Sequence, residues 1–404
     1  MALRVLVPAA ALSVAALALL EPAALGPLAA RLGGILVFLA AISVTVNLAA
    51  AAGAFTLVAD RAAALVRHRP AATWCLVVAM AAVATAFLSL DTAAVLVTPL
   101  AVAMARRSRL PVAATGLAVA WIANAGSLFL PVSNLTNLLA GSSGVIGGTA
   151  DHMRVLLAPA CASLAVVVAY AAVVAWRARG RNDAPGTIAA RPDDAAGEPA
   201  LTSADGPEPR PGLAGPSLAV LAVLIPVLAS PVPYWTSTTV AAAVLLVLFA
   251  VRSPSDIGAS LVPWGAVALT VGLCSLAELV HAAGGAGLVG DLLGPAAASG
   301  TAWGAAVVAG AGAVAANLVN NLPAYLLLEP VAGAAGPHGA QALAALLVGV
   351  DAGPLITPWA SLATILWADQ MRRCGRPVRW GTWVRHGLVL APLAVAPAAM
   401  LVAA

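Results

Sequence analysis

Two aspartates placed inside long apolar runs are the residues of this sequence best suited to chemistry. Asp91 and Asp351 lie far from the central polar segment that holds six of the sixteen acidic residues. An ionisable side chain at bilayer depth must be paired, hydrated or neutral, and by default it marks a functional site. Glu278 and Glu329 also border apolar stretches, and we interpret them as helix ends that face water. Asp91 and Asp351 are therefore the predicted carriers of a coupling proton or cation.

Each aspartate lies beside a polar, proline-bearing motif, and these motifs recur in the same order in the two halves of the chain. SLFLPVSNLTN at residues 127–137 corresponds to PLITPWASLAT at residues 354–364. An offset of 358 − 131 = 227 pairs Pro131 with Pro358, Asn134 with Ser361, Asn137 with Thr364, and Asn124 with Asp351. A second pair, residues 89–99 and 320–330, superposes with an offset of 330 − 99 = 231. Interrupted apolar segments at matching places in two halves indicate the binding site of a transporter.

The polar side chains of these motifs predict a hydrogen-bonding cavity. Helical spacing would place three sets on common faces: Asn317, Asn320 and Asn321; Thr357, Ser361 and Thr364; and Asn134 with Asn137. A single Ser or Thr more often joins membrane helices than binds a ligand, but clustered asparagines beside prolines favour a site. Such faces suit a small hydroxylated solute or an oxyanion better than a large apolar drug.

The elements that must position these residues are membrane helices. The chain has 404 residues, of which 62% are hydrophobic and 9% charged, and a spanning helix needs about 20 apolar residues. This composition predicts an all-α polytopic membrane protein with about ten to twelve membrane segments. We interpret the first apolar segment, Arg4 to Leu20, as an uncleaved membrane helix rather than a secretory signal.

The chain divides at a polar segment into two membrane repeats. We predict a first repeat at residues 1–176, a flexible linker at 177–216 and a second repeat at 217–404. Two segments, near residues 75–99 and 303–330, are predicted to be re-entrant hairpins, and the proline-bearing motifs to interrupt helices. Clusters of arginine place the linker and several loops in the cytoplasm: Arg61, Arg67 and Arg69; Arg106, Arg107 and Arg109; Arg177, Arg179 and Arg181; and Arg372, Arg373, Arg376 and Arg379.

Several other classes of protein fit this sequence poorly. The basic residues lie in short loops without interleaved aromatic residues, which speaks against a nucleic-acid partner. The four cysteines and five histidines are isolated, so we expect no bound metal, disulfide framework or other cofactor. The chain has no G-x-x-x-x-G-K-[ST] loop, so it is not itself an ATP-driven pump, although a separate ATPase subunit and a homodimeric partner are compatible with it.

Four segments resemble the arsenite and antimonite efflux permeases of the ion transporter superfamily. They are LSLDTAAVLVTP (88–99), SLFLPVSNLTNLL (127–139), NLVNNLPAYLL (317–327) and DAGPLITPWASLATILW (351–367). The last is the most specific, whereas the S-N-x-x-N element is shared more widely across the superfamily. Two departures from the arsenical pattern remove polarity: Leu90 stands where Asn usually precedes the aspartate, and Asn124 where an acidic residue is common.

The resemblance implies an inverted-repeat carrier of the inner, cytoplasmic membrane that exports its substrate in exchange for protons. The substrate would be enclosed by two hairpins and two interrupted helices. The implied lining comprises Asp91, Thr92, Asn134, Asn137, Asn320, Asn321, Asp351, Thr357, Ser361 and Thr364.

The leading hypothesis is export of arsenite or antimonite as neutral trihydroxides. No arginine falls within the repeated motifs, which favours a neutral solute over a di- or tricarboxylate. A sodium/proton antiporter, with sodium as the alternative coupling ion, and a carrier of organic or inorganic anions are the nearest alternatives. An intramembrane aspartyl protease is disfavoured, because Asp351 lacks a Gly-x-Gly-Asp context and Asp91 lacks a preceding Tyr.

Overall fold

The computed structural model describes residues 2–66, 69–179 and 212–403, and every regular element in these ranges is helical. The α-helices before the predicted linker are α1 (Ala2–Leu20), α2 (Leu25–Ala51), α3 (Ala54–Val66), α4 (Pro70–Leu88), α5 (Leu90–Arg107), α6 (Val112–Ala125), α7 (Leu135–Ser142) and α8 (Thr149–Ala178). Residues 180–211, most of the predicted linker 177–216, lie outside the described residues, as do Arg67 and Arg181 of the arginine clusters.

The second half contains nine described α-helices and one π-helical segment. The α-helices are α9 (Ala214–Leu228), α10 (Tyr234–Arg252), α11 (Trp264–Ala282), α12 (Gly285–Ala298), α13 (Ala302–Val319), α14 (Asn321–Gly333), α15 (Gly339–Leu347), α16 (Leu362–Arg373) and α17 (Trp380–Val402). The π-helical segment, Val348–Ala352, continues α15. Helix α12 was not predicted, because its glycines and alanines resemble a connection in sequence.

Seven described helical segments are long and apolar enough to cross a membrane. They are Pro22–Ala51, Pro70–Leu88, Thr149–Ala178, Tyr234–Arg252, Trp264–Ala282, Ala302–Val319 and Trp380–Val402. Helix α10 illustrates why: Val240, Val244, Val247 and Val251 recur at helical spacing on its outer face, and all four are exposed. Such an apolar outer surface suits lipid rather than water. The predicted all-α polytopic class is confirmed.

Both predicted hairpins are present, and their tips share one unusual backbone conformation. Ser89, between α4 and α5, has φ 89° and ψ 155°. Asn320, between α13 and α14, has φ 91° and ψ 153°. Residues other than glycine rarely adopt this region, at a cost of about 1–3 kcal/mol. The two tips lie 320 − 89 = 231 residues apart, which is the offset of the second sequence repeat.

Both proline-bearing motifs interrupt helices, and their breaks also match. Asn134 is extended, with φ −147° and ψ 149°, where α7 begins. Ser361 is extended, with φ −145° and ψ 142°, where α16 begins. They are separated by 361 − 134 = 227 residues, the offset of the first sequence repeat. The polar side chains that share a helical spacing in sequence are thus divided between loop and helix.

The helices form two packed groups. Helix α1 packs on α11, and α2 and α9 pack on α10; we call α1, α2, α9, α10 and α11 the framework helices. The hairpins and interrupted helices pack together with α8 and α17, and we call α4–α8 and α13–α17 the motif-bearing bundle. Within this bundle Trp383 stacks between Trp121 and Trp367, at ring-centroid distances of 6.3 and 5.1 Å. This aromatic contact ties α17 to both interrupted helices.

The two hairpins enter from opposite ends of the molecule. Helix α5 returns to an arginine-rich end, where Arg106 donates a hydrogen bond to the carbonyl of Cys374 beyond α16 (2.7 Å). Helix α14 leads to the other end, where Glu329 pairs with Arg31 of α2. Arg31 also donates to the carbonyl of Leu139 on α7 (3.1 Å). The repeats are therefore inverted in direction.

Candidate functional site

A central cavity of about 440 Å³ lies where both hairpin tips and both helix breaks meet. The motif-bearing bundle contributes the tips at residues 89–91 and 319–323 and the breaks at 132–138 and 359–365. The framework helices α2 and α11 contribute an apolar wall that includes Phe38, Ile42 and Leu273. The four repeated segments thus converge on one cavity.

The first hairpin tip places a carboxylate in this cavity. The Ser89 hydroxyl accepts a hydrogen bond from the backbone N–H of Thr92 (3.3 Å) and caps α5. Asp91 follows in the first turn, lines the cavity, and has its Oδ1 atom buried without a hydrogen-bond partner in the described structure. Thr92 hydrogen-bonds to Ser89 (3.2 Å) and does not line the cavity. Asp91 therefore presents a free acceptor at the start of a helix, where its charge is favoured.

The second tip is attached to the opposing break. The Asn320 side chain accepts from the N–H of Leu322 (3.2 Å) and donates to the carbonyl of Trp359 (2.8 Å). The N–H of Asn321 donates to the carbonyl of Ala360 (2.9 Å). The Asn321 carboxamide accepts from Leu322 through Oδ1 (3.0 Å) and lines the cavity. Its NH₂ group remains available as a donor.

In the first break, two asparagines have different tasks. Asn137 is fully buried, and its Nδ2 donates to the carbonyls of Ser127 (2.6 Å) and Leu130 (3.2 Å). It thereby satisfies backbone groups freed by the break and does not line the cavity. Asn134 lines the cavity and donates through Nδ2 to Asp351 Oδ1 (2.9 Å). Asn134 is therefore the asparagine that joins the cavity to a buried carboxylate.

Asp351 lies behind the cavity wall rather than in it. This residue is 1% exposed, in the π-helical segment, and its Oδ1 also accepts from the Thr136 hydroxyl (2.7 Å). Its Oδ2 is buried and has no hydrogen-bond partner among the described residues. Thr136 was not a predicted site residue. Its position beside the S-N-x-x-N element was the only signal in the sequence.

In the second break, Asn317 replaces the missing helical hydrogen bonds. Its Oδ1 accepts from the N–H groups of Ile356 and Thr357 (both 3.0 Å), and its Nδ2 donates to the carbonyl of Gly353 (2.8 Å). The Thr357 hydroxyl donates to the Asn317 carbonyl (2.7 Å). Thr357 therefore stabilises the break and does not line the cavity.

Ser361 and Thr364 have buried hydroxyls without hydrogen-bond partners in the described structure. Ser361 lines the cavity, whereas Thr364 does not. Neither Asn134 nor Ser361 caps the helix that it precedes, so the first N–H groups of α7 and α16 are available to a ligand.

The ten predicted site residues therefore separate into two sets. Five line the cavity: Asp91, Asn134, Asn320, Asn321 and Ser361. The other five surround or support it: Thr92, Asn137, Asp351, Thr357 and Thr364. The predicted helical faces do not form, because a hairpin tip separates Asn317 from Asn321 and a break separates Thr357 from Thr364. The side chains that meet come from different segments instead.

The charge of the cavity is unusual. Asp91 is the only charged residue among its described lining, and no arginine, lysine or histidine accompanies it. Helices α5, α7, α14 and α16 all begin at the cavity wall, and each N-terminus carries about half a positive elementary charge. These dipoles can offset the Asp91 charge without a basic side chain. Within the described ranges, no three His, Cys, Asp or Glu side chains are grouped to hold a metal ion.

A second cavity, of about 890 Å³, lies toward the end of the molecule opposite the arginine-rich end. Arg31, Glu278, His281 and Glu329 line it. The interpretation of Glu329 as a water-facing helix end is wrong: its side chain is 11% exposed and forms an ion pair with Arg31. The pairing joins α2 of the framework to α14 of the bundle, a contact that the local sequence could not indicate.

Comparisons with known proteins agree with this arrangement. A family model described as "Citrate transporter" matches residues 1–384. An arsenical pump membrane protein of Escherichia coli is 28% identical over 331 residues, covering 78% of this chain and 73% of that protein. One of Yersinia enterocolitica is 27% identical over 347 residues, covering 80% and 75%. The resemblance predicted from the four motifs is confirmed over most of the chain.

Proposed function

Because the chain belongs to the citrate transporter family and is similar to arsenical pump membrane proteins, we propose that it exports arsenite and antimonite in exchange for protons. Family membership and its apolar helices make the chain a multi-pass transporter of the inner membrane. The substrates would be the neutral trihydroxides of trivalent arsenic and antimony. Their three hydroxyl groups each donate and accept hydrogen bonds.

The observation that carries this proposal is the set of polar residues, without a basic side chain among the described lining, at the wall of the central cavity. Asp91 Oδ1 is unpartnered, and Asn134 faces the cavity with Oδ1 because its Nδ2 is bound to Asp351. Ser361 can both donate and accept, and Asn321 can donate. A ligand with several hydroxyl groups would satisfy acceptors and donors together. An oxyanion, which only accepts, would leave the acceptors of Asp91 and Asn134 unpaired.

The residues that line the cavity also affect whether citrate, which the family's description names, could bind there. A carboxylate with several charges would meet the Asp91 carboxylate and no basic side chain among the described lining. Like charges in one buried site are costly. The four helix N-termini nevertheless favour an anion once Asp91 is protonated. A carboxylate carrier is therefore the second candidate, and citrate is the compound to compare with arsenite.

Proton exchange is supported by the position of Asp91. A carboxylate that accepts a hydrogen bond from a hydroxyl of the substrate becomes a much weaker acceptor when it binds a proton, because the charge that strengthens the bond is lost. Substrate and proton would then compete for the cavity, which is the requirement for exchange in opposite directions. A sodium ion bound by Asp91 and the amide oxygen of Asn134 is the alternative coupling scheme.

The proposal is tested by arsenite accumulation in cells that lack their own exporter. Wild-type protein should lower accumulation, and Asp91→Asn should return it to the level of the empty vector. Ser361→Ala should raise the apparent KM about two- to twelvefold through the loss of one hydrogen bond. Asp291→Asn is the matched control, because Asp291 is exposed on α12 and absent from the lining of the central cavity.

Accumulation equal to that of the empty vector, with wild-type protein correctly inserted, would refute arsenite export. Uptake of labelled citrate or sodium into everted vesicles would then identify the substrate.

The source of energy for export needs a separate test. We include a separate ATPase subunit and a second copy of the chain as proposed partners. A pump driven by an ATPase would continue to export when an uncoupler collapses the proton gradient at constant ATP, whereas a proton-coupled exporter would stop.

A further inference from the structure

The Asn134 carboxamide separates the central cavity from Asp351 and contacts both. Its Nδ2 lies 2.9 Å from Asp351 Oδ1, while Asn134 itself lines the cavity. An ionised carboxylate accepts hydrogen bonds and cannot donate them. While Asp351 is ionised, Asn134 must therefore turn its NH₂ toward Asp351 and its Oδ1 toward the cavity.

We propose that Asp351 is a positioning residue whose protonation reverses the Asn134 carboxamide and so weakens substrate binding. This inference rests on the proposed function, since it concerns arsenite in the central cavity. A proton at Asp351 Oδ2 would be a buried donor without an acceptor, because that oxygen has no hydrogen-bond partner in the described structure. At Oδ1 the same proton can be donated to Asn134 Oδ1 once the carboxamide has reversed. The carboxamide then presents NH₂ to the cavity, where the substrate hydroxyl previously found an acceptor.

The surroundings of Asp351 permit this change. The Thr136 hydroxyl (2.7 Å) keeps one hydrogen bond to Oδ1 in either state, because an O–H group can rotate and the oxygen has a second lone pair. Asp351 Oδ2 has no hydrogen-bond partner in the described structure, so no hydrogen bond at that oxygen opposes a small rotation of the carboxyl group. The step binds one proton and exchanges one hydrogen bond for another.

No counter-ion in the described contacts of Asp351 fixes its charge. The π-helical segment packs against α6, α8, α13, α14, α15 and α17 and against the helical turn at residues 126–128. Tyr325 of α14 interacts electrostatically with Asp351 and also with Glu329 and Arg31. The nearby titratable groups of the same helices have other partners: Glu329 binds Arg31, His152 binds the Leu128 carbonyl, and His386 binds Tyr170. Helices α6, α13 and α15 contribute no charged residue.

The consequence is a second proton site that acts on the substrate from behind the cavity wall. Asp91 meets the substrate directly, whereas Asp351 acts through Asn134. If the protonated form binds substrate poorly, linkage makes the Kd for arsenite rise by up to about tenfold for each unit of pH below the midpoint. Binding of arsenite releases the proton from Asp351 under these conditions.

The test is calorimetric titration of the full-length protein in lipid nanodiscs with arsenite, at pH values where arsenite is the neutral trihydroxide. Titrations in two buffers of different ionisation enthalpy count the protons released. Wild type should show a pH-dependent Kd and proton release. Asp351→Asn should bind with a Kd that depends less steeply on pH and should release fewer protons, because only Asp91 then competes with substrate for a proton. Asp351→Glu should restore the full dependence.

Two further variants separate this role from a structural one. Thr136→Val removes a hydrogen bond to the ionised carboxylate, so the midpoint of the pH profile should move to higher pH while the slope persists. Asp91→Asn should bind arsenite more weakly but retain the pH dependence. Should Asp351→Asn fail to fold, wild-type proton release together with the Thr136→Val shift still decides the question.

The outcomes distinguish the two proposals. Arsenite binding by the wild type with no pH dependence overturns the role of Asp351 and leaves arsenite export standing. Loss of the pH dependence in Asp91→Asn, with the full wild-type dependence in Asp351→Asn, also overturns it. Absence of arsenite binding at every pH overturns the proposed function and this inference with it.

Discussion

At the scale of residues, the candidate site is defined by what its polar side chains leave unbonded. Asn137 and Asn317 form their hydrogen bonds with backbone groups of the two breaks. Asn134 and Ser361 occupy equivalent places in the repeats, yet their side chains face the cavity. The same residue type therefore supports the break at one position and lines the cavity three residues away.

Substitution should separate these two roles. We expect Asn137→Ala to destabilise the protein by about 1–3 kcal/mol, because buried carbonyls lose their donor. Asn134→Ala should have a smaller effect on stability and a larger one on the Kd for arsenite. Thermal unfolding in detergent, followed by binding measurements on the folded protein, would check both. A Kd unchanged in Asn134→Ala would contradict its assignment to the cavity.

At the scale of elements, the hairpin tips and the helix breaks determine where the polar side chains lie. Ser89 and Asn320 share a strained backbone conformation, and each caps the following helix with its own side chain. Close packing supports the second break: a Cβ atom at Gly349 would lie 2.1 Å from the carbonyl oxygen of Ala309. The π-helical segment and α13 are thus in backbone contact, which holds Asp351 at a constant depth.

The ion pair between Arg31 and Glu329 joins the framework to the bundle, and its removal has a predictable signature. Arg31→Ala leaves the Glu329 carboxylate largely buried without its partner and should cost about 3–5 kcal/mol. The double variant Arg31→Ala/Glu329→Gln should recover much of that loss. The measurement is the free energy of unfolding of the wild type, of both single variants and of the double variant. Strict additivity of the two losses would show that the pair contributes no coupling energy.

At the scale of the whole molecule, inversion of the repeats sets which end faces each side of the membrane. The arginine-rich end includes the contact of Arg106 with Cys374, and positive loops face the cytoplasm. The second cavity opens near Ser142 and Ser143, at the other end. We therefore expect one hairpin to be entered from the cytoplasm and the other from outside.

Labelling of single cysteines tests this orientation. In a background without other cysteines, Cys374 should react with a membrane-impermeant thiol reagent only after cells are permeabilised. Ser143→Cys in the same background should react in intact cells. Labelling of Cys374 in intact cells would reverse the assigned orientation.

Much of the architecture follows from the sequence alone. Apolar runs of spanning length determine an all-helical membrane protein, since only helices satisfy backbone hydrogen bonds in lipid within each segment. The two offsets located both hairpin tips and both breaks, because prolines and polar clusters interrupt helices wherever they occur. Asp91 was identifiable for the same reason: a carboxylate in an apolar run is costly in any fold.

Only the tertiary structure decided which of these side chains meet. Asn134 and Asp351 are 217 positions apart in the chain, and Arg31 and Glu329 are 298 apart. Contacts between segments so distant depend on how the two repeats pack. The amino-acid composition of one segment does not predict which other segment it will contact. Helical spacing within a motif therefore predicted shared faces that do not form. The packing of the two repeats determines which residues line the cavity and which support it.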